Sequence, residues 1–171
     1  MEITELKMES PVGPLRLVAT DAGICRIAFS RDAAAVRREL ARRFGGVRVS
    51  ESPRRRNVLE RAQKALGRYF SGGEIDFDRI PLDPGGTEFQ QDVWSCLRAI
   101  PRGETRSYGD VAAAIRRPKA VRAVGSANRA NPIPIIVPCH RVIGSDGELR
   151  GYAGRVDRKE WLLRHENALP A

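Results

Sequence analysis

The first half of the chain alternates between strand-like and helix-like patterns of hydrophobic and polar residues. The segment LKMESPVGPLRLVAT (residues 6–20) has two alternating stretches separated by Pro-Val-Gly-Pro, which predicts a β-hairpin, and GICRIAFS (23–30) predicts a third strand. DAAAVRRELARRF (32–44) and RRRNVLERAQKALGRYF (54–70) place apolar residues at helical spacing, and glycines follow both segments. The pattern predicts an α/β domain with a small antiparallel sheet.

A connector separates this region from the second half of the chain. Residues 75–87, IDFDRIPLDPGGT, show neither periodicity, and the DPGG sequence at 83–86 is typical of a turn between domains. We therefore expect an N-terminal α/β domain over residues 1–82. A second domain, over residues 83–171, is expected to be mainly helical.

The second domain opens with an amphipathic segment, EFQQDVWSCLRAIP (88–101), which predicts a helix. Cys96 lies within this helix, and Cys25 lies in a predicted strand of the first domain. Unpaired cysteines in such positions usually behave as small hydrophobic residues, so we expect both in the core.

Two further helices joined by a tight turn are predicted next. Ser107 and Asp110 match a capping box, which opens a helix expected to reach Arg117. Pro118 fits the first turn of a second helix, which ends at Asn131 before another proline. This arrangement predicts a helix-turn-helix motif.

The second helix of this motif has unusually small side chains. Close packing against another helix would explain them. Close approach to a nucleic-acid backbone would explain them equally well, and Arg122 and Arg129 would then supply positive charge. The residue pattern alone leaves both interpretations open. The small residues are Ala120, Ala123, Gly125, Ser126 and Ala127.

The net charge of +9 favours a nucleic-acid partner, because strong basicity attracts a phosphate backbone. All but four of the 30 cationic side chains are arginine, and they are spread over both halves of the chain. An arginine bias from genome composition or thermal adaptation would produce the same charge. The charge therefore permits DNA binding without establishing it.

Composition and motifs argue against several other classes of protein. The sequence has no apolar run of about 18 residues, and its acidic start, MEITELKMES, is not typical of a signal peptide, so we expect a cytoplasmic protein. The three cysteines are too scattered for a disulfide framework. With two histidines and no CxxC they do not form a zinc site either, and we expect neither metal nor cofactor.

The segment NPIPIIVPCHRVIG (131–144) places a cysteine between a proline and a histidine. A cysteine is nucleophilic as the thiolate, and His140 and Arg141 can favour that anion. Neighbouring residues in an extended strand point to opposite faces, so Cys139 and His140 can cooperate only if the chain turns or a water bridges them. Pro138 is well suited to introduce the turn.

A third group normally orients such a histidine. The last predicted helix, DRKEWLLRHE (157–166), is expected to open with a capping box formed by Asp157 and Glu160. It ends with Glu166, whose charge is unfavourable at a helix C-terminus and therefore hints at another role. Attack on an acyl group would give a hydrolysable thioester, and attack on an alkyl carbon would give a stable thioether. The spacing of the residues does not decide between them.

The second half of the chain closely resembles the O6-alkylguanine-DNA alkyltransferases, in particular the stand-alone bacterial kind. The resemblance runs from about Thr87 to Glu166 and is carried by GTEFQQDVW, IPRGETRSYG, RAVGSANRANPIPIIVPCHRVIG, GYAG and RKEWLLRHE. The first 80 or so residues are less distinctive, but their order of strands and helices is compatible with the family's ribonuclease H-like N-terminal domain.

The resemblance implies roles for individual residues. Cys139 would accept the alkyl group, His140 would deprotonate it through a water, and Glu166 would hold His140 in place. Asn131 would bridge the recognition helix and the active-site segment. Tyr108 would donate a hydrogen bond to the leaving guanine.

The resemblance also implies how DNA would bind. The helix-turn-helix would lie in the minor groove of double-stranded DNA, and the damaged nucleotide would rotate out of the duplex. Val142 would read the base through its backbone, and Tyr152 and Ala153 would line the base pocket, with alanine at 153 where some relatives have serine. The residues expected at the DNA surface are Arg122, Ala123, Gly125, Ser126, Ala127 and Arg129.

The implied function is direct repair of O6-alkylguanine, and of O4-alkylthymine, by a monomer that could bind DNA cooperatively. Each molecule would act once, because water does not cleave a thioether. One alternative is a helix-turn-helix protein that binds lesions without repairing them, against which the retained Cys139 argues. The other is a cysteine hydrolase, which repeated turnover would reveal.

Overall fold

The computed structural model describes residues 1–152 and 155–169. The chain divides into two compact units, Met1–Pro84 and Gly85–Ala171. The first contains a β-sheet with two helices, and the second is mainly helical. This confirms the predicted fold class, an N-terminal α/β region followed by a helical region.

The sheet of the first unit has the strand order β3-β2-β1-β4. The predicted hairpin and third strand are confirmed as β1 (Glu2–Met8), β2 (Leu15–Ala19) and β3 (Ile24–Ala28), which pair antiparallel. The short β4 (Arg48–Val49), which was not predicted, adds a parallel pair with β1 to this otherwise antiparallel sheet. Two residues are too few for a periodicity to reveal.

Two amphipathic helices accompany the sheet. Helix α1 (Ala33–Phe44) is capped by the Asp32 side chain, and it ends at Gly45, whose positive φ of 69° a glycine adopts without strain. Helix α2 (Pro53–Phe70) starts after Ser52 with proline in its first turn. As predicted, Cys25 is fully buried in the core between β-strands and α1.

In the described part of the second unit there are four helices and a pair of two-residue strands. In chain order these are α3 (Glu88–Arg98), β5 (Arg106–Ser107), α4 (Tyr108–Ala114), α5 (Val121–Arg129), β6 (Val142–Ile143) and α6 (Val156–His165). A single turn of 3-10 helix, Cys139–Arg141, immediately precedes β6. Strand β5 pairs with β6 in parallel, Arg106 with Val142 and Ser107 with Ile143, so α4 starts beside the end of β6.

Helices α4 and α5 form the predicted helix-turn-helix, with different ends. The capping box of Ser107 and Asp110 is confirmed. Helix α4 ends at Ala114 and not near Arg117, because Arg116 takes a left-handed conformation with φ of 60°. Pro118 lies in the turn and not in the first turn of α5, which starts at Val121. The turn is therefore longer than predicted and the helices are shorter.

Two other local predictions are wrong. Cys96 is partly exposed and not a core residue, because it lies at the edge of the buried face of α3. The last helix has no capping box: its N-cap position is Arg155, with no side-chain cap, and Asp157 lies inside the first turn, where its carboxylate pairs with Arg155.

No helix in the described part of the chain is both long and apolar enough to cross a membrane. Among the same residues, no group of three or more histidine, cysteine, aspartate or glutamate side chains could bind a metal ion.

Candidate active site

Cys139 begins the 3-10 turn, at the point where Pro138 redirects the chain. The turn is closed by hydrogen bonds from the Arg141 amide to the Pro138 carbonyl, at 3.0 Å, and from the Val142 amide to the Cys139 carbonyl. The Cys139 side chain is 4% exposed. The segment is thus turned where the sequence suggested, and it does not continue as an extended strand.

The chain leading to Cys139 is constrained by Asn131. Its side-chain amide donates to the Val137 carbonyl at 2.8 Å and its oxygen accepts from the Ile133 amide at 3.0 Å. Between them, buried Ile135 has a φ of 75°, which is strained for a β-branched residue. Asn131 therefore holds the loop that delivers Cys139.

His140, Arg141 and Glu166 form a buried cluster next to Cys139. His140 Nε2 lies 2.8 Å from Glu166 Oε1. Arg141 donates to both oxygens of Glu166 at 2.8 and 2.9 Å, and to the Ile100 carbonyl at 2.5 Å. Glu166 is 3% exposed, so its carboxylate is buried although it lies at the end of α6.

The charges in this cluster follow from burial and pairing. Burial raises the pKa of the Glu166 carboxyl, but hydrogen bonds and charge from His140 and Arg141 outweigh it and hold that pKa well below its usual range. Burial lowers the pKa of His140, with Glu166 opposing the shift. Glu166 is therefore ionised and His140 neutral at neutral pH.

This protonation state assigns the tautomer of His140. An ionised Glu166 can only accept, so Nε2 carries the proton and donates it to the carboxylate. Nδ1 then has a free lone pair, and it is buried without a hydrogen-bond partner among residues 1–152 and 155–169. His140 thus presents a basic nitrogen that its own surroundings leave unused.

The Cys139 thiol is protonated in the free protein. Burial raises its pKa to about 11, although the Asn131 side chain and the charge of Lys159 both lower it. A base must therefore remove the proton before the sulfur can act as a nucleophile.

Tyr108 lies at the start of α4, directly after the strand that pairs with β6. Its hydroxyl donates to the Arg150 carbonyl at 3.1 Å. Val142 and Tyr152 are also buried in this unit. Ala153, predicted to line the base pocket, lies outside the described residues.

Helix α5 presents two different faces. Gly125 and the exposed Arg122, Ser126 and Arg129 line a cleft of about 590 Å³ together with Tyr108. Ala123 is also exposed.

The buried face of α5 includes Ala127, which corrects the prediction that its side chain contacts DNA. Ala127 is 2% exposed, and its carbonyl accepts a hydrogen bond from Trp94 Nε1 at 2.8 Å. Close packing therefore explains this small residue, although it does not explain those on the exposed face.

The residue pattern missed two buried polar side chains at the site. Asn128 donates to the Cys139 carbonyl at 3.3 Å, and Lys159 is completely buried on α6. A signal for Lys159 was present, because it lies three, four and seven residues before Leu162, Leu163 and Glu166, on the buried stripe of α6. Arg141, expected to act on the thiolate, instead pairs with Glu166.

Both halves of the chain match models of one known protein family. A family model described as 6-O-methylguanine DNA methyltransferase, DNA binding domain, matches residues 88–168, and its partner model, the ribonuclease-like domain, matches residues 3–84. The chain belongs to this family. The predicted resemblance is thereby confirmed over both halves of the chain, including the half that the motifs left undecided.

Relatives of this methyltransferase family are similar over different lengths. A Salmonella typhimurium methylated-DNA–protein-cysteine methyltransferase is 59% identical over 104 residues, which is 61% of this chain and 61% of that protein. The chain thus aligns with less than two thirds of that relative. One from Methanosarcina acetivorans is 43% identical over 94% of this chain and 96% of its own length.

Solved structures of the family have the same fold. A Mycobacterium tuberculosis OGT in complex with DNA matches with a TM-score of 0.79 and 40% identity, over 98% of this chain and 93% of that one. The O6-methylguanine-DNA methyltransferase of the archaeon Pyrococcus kodakaraensis matches with a TM-score of 0.71 and 28% identity, over 96% and 98%.

Proposed function

We propose that this protein repairs DNA by transferring the alkyl group of O6-alkylguanine to Cys139. One observation carries the proposal: a buried cysteine directly precedes a neutral histidine whose Nδ1 has no hydrogen-bond partner among the described residues and whose Nε2 is fixed by a buried carboxylate. That is the arrangement of an activated nucleophile.

The reaction uses Cys139, His140 and Glu166, each in a different role. His140 Nδ1 takes the Sγ proton, directly or through one water, and Glu166 stabilises the imidazolium that forms. The thiolate attacks the alkyl carbon, the S–C bond forms, and the C–O6 bond breaks with its electron pair leaving on the guanine. The proton that His140 took from Sγ then passes to the guanine, which leaves both neutral, and we propose that Tyr108 donates a hydrogen bond to the guanine.

Transfer is irreversible and each molecule acts once, because the product is a thioether, which water does not cleave. This separates the proposal from a cysteine hydrolase, whose thioester intermediate would be released. O4-alkylthymine, which carries the same kind of alkyl–oxygen bond, is proposed as a second substrate.

The damaged nucleotide leaves the base stack to react. Cys139 is 4% exposed, so an alkyl group inside a duplex cannot reach its sulfur. We place the exposed face of α5 in the minor groove, with Arg122 filling the position that the rotated base leaves. The base would enter a pocket lined by Val142, Tyr152 and Ala153. We also propose that the protein acts as a monomer, in the cytoplasm, and on double-stranded DNA.

The test is the mass of the intact protein after incubation with a duplex that carries one O6-methylguanine. We expect the protein to gain one methylene unit, in a 1:1 ratio to lesion repaired, and the DNA strand to lose the same mass. The matched control is an identical duplex with unmodified guanine. Tight lesion-selective binding without any mass transfer would contradict the proposal and leave a lesion-binding protein.

Substituting Arg122 by alanine should slow repair without destabilising the fold. Arg122 is exposed at the cleft, and its loss removes a side chain that we place within the duplex. We expect transfer from duplex DNA to slow by about tenfold or more, in line with 1–3 kcal/mol for such a contact. Single-turnover rates and melting temperatures measure the two effects. Lys64→Ala, an exposed cation of α2, is the charge-matched control. Equal rates for both variants would contradict the role of Arg122.

A further inference from the structure

Lys159 is a buried cation for which the proposed reaction provides no role. It is 0% exposed on α6, and its ammonium donates to the carbonyls of Val142, at 2.5 Å, and Arg150, at 2.9 Å. No carboxylate in the described part of the chain forms an ion pair with it. A buried cation without an anion is costly, and two carbonyl dipoles offset only part of that cost.

The ammonium nevertheless stays charged near neutral pH. Burial lowers the pKa of Lys159 to about 8, and the nearby Cys139 sulfur opposes the shift. The remaining charge lies in a part of the site from which water is excluded, where a single charge acts strongly on its neighbours.

The titratable groups around Lys159 are either neutral or already paired. His140 is neutral, and Glu166 already accepts from His140 and Arg141. The Tyr108 ring centre lies 6.0 Å from the ammonium, and burial raises the pKa of its hydroxyl, which keeps it neutral.

Arg150, whose carbonyl accepts from Lys159, has its own guanidinium paired with Asp146 and Glu148. Neither acid is therefore left to neutralise the lysine. Cys139 begins the turn that ends at Val142, whose carbonyl accepts from Lys159, and it is the neighbour that becomes an anion during the reaction.

We propose that Lys159 is the buried counter-cation of the reaction: its ammonium offsets the negative charge that forms on Cys139 Sγ and then moves to the guanine as the alkyl group transfers. The proposal deepens the alkyl transfer described above and rests on it. Lys159 accepts and donates no proton in this role. It acts on the sulfur through space, and it holds the Val142 carbonyl by a hydrogen bond.

The proposal predicts the alkylated state as well. The thioether is neutral, so S-alkylation leaves the buried ammonium without its counter-charge once the guanine departs. The charge of Lys159 thus favours the thiolate and the transition state over the product, which is the differential stabilisation that accelerates a step.

The test titrates the Cys139 thiol without DNA. Iodoacetamide reacts with the thiolate, and peptide mass mapping follows modification of Cys139 apart from the other two cysteines as a function of pH. In Lys159→Met and Lys159→Gln we expect modification of Cys139 to slow by about tenfold at a fixed pH below 8, where Lys159 is charged in the wild type. Lys64→Met, remote in sequence and exposed, should leave it unchanged.

The glutamine variant separates charge from hydrogen bonding. Its amide can still donate to a carbonyl, so it should melt closer to the wild type than Lys159→Met, while its thiol titrates like that of the methionine variant. A rate of Cys139 modification below pH 8 in Lys159→Gln equal to that of the wild type would overturn the proposal and leave Lys159 a structural residue. Because this test uses no lesion, failure of DNA repair and failure of this proposal remain distinguishable.

Discussion

Substituting Cys139 by alanine is expected to abolish alkyl transfer while DNA binding survives. The sulfur is the atom that forms the new bond, and no other thiol has the same surroundings. Cys25 is fully buried in the other unit, with burial raising its pKa to about 12, and Cys96 has no adjacent histidine. Intact-protein mass and the mass of the lesion strand should both stay unchanged in this variant.

The fold should tolerate that change. Alanine removes one buried sulfur, which costs about 1–2 kcal/mol of the free energy of unfolding. Lesion-selective binding measured by a mobility shift should therefore persist. Cys96→Ala is the matched control and should transfer the methyl group at the wild-type rate. Residual transfer to the Cys139→Ala protein would show that another residue accepts the alkyl group.

Substituting Glu166 by glutamine should give the second-largest loss, in both rate and stability. The carboxylate accepts from His140 and twice from Arg141, and an amide cannot satisfy all three donors. His140 would lose the partner that fixes its tautomer and stabilises its protonated form. We expect single-turnover transfer to slow by about 10²–10⁴-fold, the usual contribution of a general base.

The stability loss has a separate cause. Arg141 is 9% exposed, and without Glu166 its guanidinium would be buried without an anion, at a cost of about 3–5 kcal/mol. Because folding depresses the Glu166 pKa, this contribution is fully present above its ordinary value of 4.5 and is lost as the pH falls below it. Denaturant unfolding at neutral and acidic pH measures the difference.

Glu160→Gln is the matched control on the same helix. Its carboxylate pairs with Arg164 four residues along, with both side chains nearly half exposed, so the change should cost no more than about 0.5 kcal/mol. It should leave the transfer rate unchanged. If Glu166→Gln reacted within a few-fold of Glu160→Gln, the orienting role of Glu166 would be wrong.

Local patterns were sufficient for most of the fold. Alternation predicted β1 to β3, and helical spacing with glycine stops predicted α1 and α2. The capping box of Ser107 and Asp110 marked the start of α4 correctly. These features depend on interactions between residues a few positions apart, so they can be predicted from the local sequence. The short β4, the early end of α4 and the uncapped start of α6 depend on tertiary pairing or unusual φ values and could not be predicted in this way.

The candidate site, too, could be predicted only in part from the local sequence. Cys139, Pro138 and His140 are adjacent, so the sequence alone marked the nucleophile, the turn and the base, and the family resemblance supplied the remaining assignments. Which distant groups meet them was decided by folding: Glu166 reaches His140 across 26 positions, and it takes up Arg141 as well.

Burial was the other property that only the tertiary structure decided. Helical spacing puts Lys159 on the buried stripe of α6, but a lysine is ordinarily exposed, and the small Ala127 suits an exposed face as well as a buried one. In the structure Ala127 is buried and its carbonyl accepts from Trp94, and Lys159 has no exposed surface. A chain specifies which residues are polar and where they repeat, whereas the charge that a buried group must neutralise depends on what packs around it. The chemistry of Lys159 therefore becomes visible only in three dimensions.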